Sequence, residues 1–125
     1  MAKILIVDDD PDILDASRLA LERAGHVVIT ASNPSDGKLA LDREAPALLI
    51  LDIMMGAPDD GLVMAQTLRR TGYKLPILML TSLPKVSGMA LAKDDDMVPV
   101  DELVEKPVST ERLRGLVAQL LGGRR

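Results

Sequence analysis

Asp8, Asp9, Asp52, Thr81 and Lys106 carry the groups in this chain whose types and placement could do chemistry together. Each stands at or near the end of an apolar run: Ile4-Leu5-Ile6-Val7, Leu48-Leu49-Ile50-Leu51, Ile77-Leu78-Met79-Leu80, and the shorter Leu103-Val104 just ahead of Lys106. If those runs are buried strands of one parallel sheet, their carboxyl ends converge where ligands bind in such sheets. Carboxylates gathered there repel one another unless a cation sits between them. Oxygen ligands call for a hard divalent ion. Mg²⁺, or Mn²⁺ in its place, suits best, because Mg²⁺ accepts few carboxylates and keeps waters that a phosphoryl group can replace. A carboxylate can itself take a phosphoryl group as an acyl phosphate. The Lys106 ammonium and the Thr81 hydroxyl would then stabilise charge on the transferring oxygens.

The segments between the apolar runs read as helices, so the chain alternates strand and helix, as α/β domains with a parallel sheet do. Asp10-Pro11 supplies a cap and a first-turn proline for a helix running to about Ala24 and stopping at Gly25. Val27 to Ile29 reads as a second strand, and Asn33-Pro34 opens a second helix through about Glu44. Asp59 or Asp60 can cap a third helix containing Leu62, Ala65 and Leu68 and ending near Gly72. After Ser109, Leu113, Leu116, Val117 and Leu120 fall on one helical stripe facing the sheet. Leu83 to Asp101 is the least regular stretch: Pro84, Gly88, Pro99 and Asp94-Asp95-Asp96 leave room only for a short helix around Val86 to Lys93.

Composition removes several function classes. At 125 residues and 47% hydrophobic, the chain has room for one domain with a real core. It has no cysteine, so disulfide staples and thiolate metal sites are excluded, in keeping with a reducing, cytoplasmic compartment. The first apolar run meets aspartates after four residues, too short for a signal peptide or a membrane span. A net charge of -4 and a lone aromatic, Tyr73, provide neither the basic stripe nor the stacking platforms of direct nucleic-acid binding. His26, between Gly25 and a strand, reads as a surface residue, and the seven methionines as core filler.

Four stretches, in order and at nearly the right spacing, resemble the receiver domain of two-component response regulators: Lys3 to Pro11 (KILIVDDDP), Leu48 to Met55 (LLILDIMM), Pro76 to Ser82 (PILMLTS) and Glu105 to Val108 (EKPV). The resemblance implies a flavodoxin-like, doubly wound three-layer sandwich. Its five-stranded parallel sheet would have order 2-1-3-4-5 with about five helices, the fourth short or irregular, over residues 1–121, followed by a flexible tail at 122–125. It makes Asp52, at the end of the central strand, the phosphoacceptor. Asp8 and Asp9 become the acidic metal pair, with Asp9 the more direct ligand, and Asp52 and the backbone carbonyl of Met54 complete the protein ligands. Thr81 becomes the switch hydroxyl, Lys106 the phosphoryl contact, and Lys106-Pro107 a cis peptide. The implied donor is a sensor histidine kinase or histidine phosphotransfer protein. The implied output is protein contact or a homodimer through the face of the fourth helix, fifth strand and last helix.

Several positions depart from that pattern. The loop after Asp52 is one residue longer than usual with its proline displaced, and the stretch from Thr81 to Lys106 is also longer. Leu103 occupies the position where response regulators usually carry the Tyr or Phe that rotates on activation, so a signal is expected to travel through loop ordering or backbone shifts after Thr81. Met54 and Leu83 are apolar where the family's hydrolytic water enters, which implies slow self-dephosphorylation. The competing reading is a degenerate receiver serving as a phosphorylation-independent interaction or dimerisation module. A phosphatase of the haloacid-dehalogenase type would need an aspartate where Met54 stands, so true enzymatic turnover is not expected.

Overall fold

The structure, a computed structural model, describes residues 2–52, 60–81, 100–106 and 108–122. The described elements follow in the order β1 (Lys3–Val7), α1 (Pro11–Arg23), β2 (Val27–Ala31), α2 (Pro34–Glu44), β3 (Leu48–Asp52), α3 (Asp60–Arg70), β4 (Ile77–Thr81), β5 (Glu102–Glu105) and α4 (Thr110–Gly122). All strand pairs are parallel, in the order β2-β1-β3-β4-β5. This is the doubly wound sheet that the sequence predicts, with four helices among the described residues. The expected fourth helix at Val86 to Lys93 lies outside them, as do Met54, Leu83 and Pro107.

The continuous apolar runs are explained by burial on both faces of the sheet. Side chains alternate along a strand. Leu5, Val7, Leu49, Leu51, Ile77 and Met79 therefore face one way, onto Ala40 and Leu41 of α2 and Met64, Ala65 and Leu68 of α3. Ile4, Ile6, Leu48, Ile50, Leu78, Leu80 and Val104 face the other way, onto Leu21 of α1 and Leu113 and Val117 of α4. Burying each of these large aliphatic side chains is worth about 1.5–3 kcal/mol, so the central strands form the rigid frame on which any site must sit.

Local signals set the helix ends. Asp10 caps α1 by accepting from the Asp12 amide at 2.9 Å, and Asn33 caps α2 by accepting from the Asp36 amide at 2.8 Å, each followed by proline. The Ser109 hydroxyl accepts from the Arg112 amide at 3.1 Å at the start of α4. Gly25 and Gly72 lie at φ 95° and 101°, where a side chain would be strained, and each ends a helix as read from the sequence. Gly37 serves a different purpose: a Cβ there would meet Val7 Cγ2 at 2.9 Å, so its absence lets α2 lie close against β1.

Some boundaries move from their expected places. β2 runs on to Ala31 instead of ending at Ile29, because the Asp8 amide bonds Ala31 O at 3.1 Å and extends the pairing with β1. Asp60 lies inside α3, and Gly122 closes α4 instead of opening the tail. His26 is half-buried, and its Nδ1 accepts from the Ala2 amide at 3.2 Å, which ties the chain start to the α1–β2 turn.

Candidate functional site

The site forms where β1, β3 and β4 end. Asp8 directly follows β1, Asp52 is the last residue of β3 and Thr81 the last of β4. All three are buried, with exposures of 1%, 4% and 0%. Asp9, one residue further along the turn, is exposed. One carboxylate oxygen from each of Asp8, Asp9 and Asp52 lies within 4.8 Å of the others. The sequence-predicted acidic cluster is thus brought together. Capping does not account for it, since Asp10 performs that role for α1.

The two buried carboxylates are held at this end of the sheet in different ways. Asp8 Oδ1 accepts from the Asp10 amide at 2.9 Å, which fixes the turn out of β1, and leaves Oδ2 to face the site. Asp52 keeps its place through β3, whose register sets Asp52 opposite Leu80, one residue short of Thr81.

Lys106 reaches in from the far edge. Its Nζ donates to Asp8 Oδ2 at 3.0 Å and lies 3.2 Å from Asp52 Oδ1. Its amide donates to Thr81 O at 2.6 Å, one more rung beyond the β4–β5 ladder. Partial burial of the ammonium works to lower its pKa. The hydrogen bond and charge of Asp8, followed by the charge of Asp52, outweigh burial and hold Lys106 above the ordinary lysine value. One ammonium against three carboxylates leaves a surplus of negative charge. Among the described residues the candidate ligands are hard oxygen donors, which fit a small divalent ion such as Mg²⁺ or Mn²⁺. The fourth protein ligand expected, the Met54 carbonyl, lies outside the described residues, as does the Lys106-Pro107 geometry.

Leu103 pairs with Met79 and packs, partly buried, against the core on the α2 and α3 side of the sheet. It therefore sits among aliphatic side chains where the resemblance would put a ring. Below the site, sequence reasoning missed a second polar cluster. Arg69 Nη2 donates to Asp101 Oδ2 at 3.0 Å, and Arg69 Nη1 donates to Tyr73 O and Leu75 O at 3.0 and 2.9 Å. The available signal was an arginine in the last turn of a helix, a favourable place for a cation. Tyr73 was noted only as a lone aromatic, yet its hydroxyl bonds Asp42 and its ring lies 5.4 Å from Lys38 Nζ, joining α2 to the α3–β4 loop.

The chain is similar to known proteins over nearly its whole length. It is 36% identical over 123 residues to the alkaline phosphatase synthesis transcriptional regulatory protein PhoP of Bacillus subtilis, covering 95% of this chain and 48% of that protein. It is 34% identical over 119 residues to the response regulator MprA of Mycobacterium leprae, covering 95% of this chain and 50% of MprA. The chain thus spans about half the length of these curated relatives. Among solved structures, the BeF3-activated N-terminal receiver domain of Klebsiella pneumoniae RstA superposes with a TM-score of 0.82 at 25% identity, covering 96% of this chain and 98% of that one. NtrX from Brucella abortus superposes with a TM-score of 0.83 at 28% identity, covering 98% of this chain and 28% of that one. Residues 4–118 match the family described as the response regulator receiver domain, with Asp8, Asp9, Asp52, Thr81 and Lys106 all inside the match, and the chain belongs to that family.

Proposed function

We propose that this chain accepts a phosphoryl group on Asp52 from a histidine kinase or a histidine phosphotransfer protein, and passes the signal on by protein contact. The observation that carries this reading is the Asp52 carboxylate: buried at a strand end, 3.2 Å from the Lys106 ammonium and clustered with Asp8 and Asp9. In the transfer, an Asp52 oxygen bonds to phosphorus as the phosphorus–nitrogen bond of the donor phosphohistidine breaks, and the departing imidazole takes up a proton. Asp8, Asp9 and Asp52 would hold Mg²⁺ or Mn²⁺, which when bound supplies positive charge to the phosphoryl oxygens. The Lys106 ammonium, beside Asp8 and Asp52, would contribute a second positive charge, and the Thr81 hydroxyl a hydrogen bond.

The reading makes the chain a signalling domain without enzymatic turnover, working in the cytoplasm. Among the described residues no helix is long and apolar enough to cross a membrane. A net charge of -4 argues that this stretch does not itself hold DNA, although relatives such as PhoP are named as transcriptional regulators. Leu103 favours a second reading, in which the domain works as an interaction or dimerisation module independent of phosphorylation.

Intact-mass measurement separates the two. Incubation with acetyl phosphate and Mg²⁺ should add one phosphoryl group to the wild-type chain. Asp52→Asn, or a chelator, should abolish the adduct. A folded, metal-replete sample that forms no adduct would favour the interaction module.

A further inference from the structure

The edge strand that delivers Lys106 to the site has only four residues, and it is tied down at its start by side chains that lie at the opposite end of the sheet from the carboxylates. Asp101, one residue before β5, bonds the first residue of β4 in both directions. Its amide donates to Ile77 O at 2.9 Å, and its Oδ2 accepts from the Ile77 amide at 2.8 Å. The same oxygen accepts from Arg69 Nη2 at 3.0 Å, while the other arm of that guanidinium holds Tyr73 O and Leu75 O. A single planar fork therefore joins α3, the loop into β4 and the approach to β5, a geometry that a lysine ammonium could not reproduce.

Where β5 starts against β4 decides where it ends. With Asp101 fixed on Ile77, the register runs Glu102 against Leu78, Leu103 against Met79, Val104 against Leu80 and Glu105 against Thr81. The next residue, Lys106, then lands with its amide on Thr81 O and its ammonium between Asp8 and Asp52. We propose that Asp101 and Arg69 form a positioning pair that sets the register of β5 and thereby aims Lys106 at the two buried carboxylates. The pair touches no reacting atom and acts through Lys106. The proposal deepens the phosphoacceptor reading and rests on it only for its activity readout.

Asp101→Asn keeps an oxygen for the Ile77 amide but removes the charge that Arg69 holds, and Arg69→Lys keeps the charge but not the fork. Amide exchange of Lys106 is the direct readout. In each variant it should rise by about tenfold or more, as loss of a charge-assisted bond implies, while the β1–β3 amides keep their wild-type protection. Phosphorylation by acetyl phosphate should slow in parallel, while divalent-ion affinity should not fall, because the carboxylates are untouched and an ammonium drawn off them competes less with the ion. Wild-type Lys106 exchange in both variants would overturn the proposal. So would protection lost equally across all strands, which is the mark of a merely structural pair. If the wild-type chain itself takes no phosphoryl group, the phosphoacceptor reading fails, yet Lys106 exchange still decides the positioning role. Should Asp101→Asn not fold, Arg69→Lys carries the same test.

Discussion

Replacing Lys106 by methionine removes the ammonium between Asp8 and Asp52 while keeping most of its apolar stem. Nζ stands 3.0 Å from Asp8 and 3.2 Å from Asp52, and the lysine side chain is only 16% exposed, so solvent screens these contacts little. Stripping one partner from a buried ion pair costs about 3–5 kcal/mol. Because an exposed Asp9 and nearby water can absorb part of the change, about 3 kcal/mol is expected, or a fall in Tm of about 10 °C for a domain of this size. The sign of the pH dependence follows from the raised pKa of Lys106 in the folded state. Its stabilisation is fully present below the ordinary lysine value of 10.5 and is lost as pH rises through the higher folded value. The difference between wild type and Lys106→Met should therefore stay flat between about pH 6 and 9 and shrink only above that window. Saturating Mg²⁺ should restore more stability to the variant than it adds to the wild type, since an ion at 100 times its Kd contributes about 2.7 kcal/mol and meets no competing ammonium in the variant. Thermal melts at several pH values, with chelator and with Mg²⁺, measure all of this. Equal Tm values in chelator, or a gap that closes between neutral pH and about pH 9, would refute the electrostatic account.

Four further outcomes are expected. Gly37→Ala gains about 1 kcal/mol of helix propensity, but its Cβ would sit 2.9 Å from Val7 Cγ2, on a residue adjoining Asp8. Overpacking costs about 1–3 kcal/mol, so urea titration should show a net loss of stability. Asn33→Ala removes the cap of α2 and should cost about 1 kcal/mol in the same assay. The phosphorylated chain should decay slowly, because Met54 and Leu83 cannot orient water; a double variant with polar residues there should lose its phosphoryl group faster in an intact-mass time course. With Leu103 unable to act as a rotating ring, amide exchange across residues 83–101 should change when a phosphoryl mimic binds, and identical rates would count against loop ordering as the output.

The fold was legible because burial on both faces turns each central strand into an unbroken apolar run, and because Asp10-Pro11 and Asn33-Pro34 announce helix starts in chemistry that few other structures require. Asp8, Asp9, Asp52, Thr81 and Lys106 were legible for a related reason: a polar side chain at or just past the end of such a run lies near the strand-end crevice. Arg69 and Asp101 were not. They lie 32 positions apart, neither follows a core strand, and their pairing depends on α3 and β5 meeting at β4, which no local pattern encodes. The grouping of Lys38 and Asp42 with Tyr73 was hidden similarly, since Lys38 and Asp42 form an ordinary i, i+4 pair on α2 until the tertiary fold brings the tyrosine over them.

The short edge strand has a mechanical consequence. Glu102–Glu105 is fastened at one end through Asp101 and at the other through Lys106, the residue whose ammonium answers any change of charge at the carboxylates. A strand of that length spans about 13 Å, so a ~1 Å pull on Lys106 with Asp101 held still turns it by roughly 4° instead of sliding it. Rotation of this kind leaves the interior ladder intact and tilts the outward side chains of the strand together. On the proposed reading, phosphorylation of Asp52 would reach the sheet's rim as an angle, which a docked surface could read without any side chain having to flip.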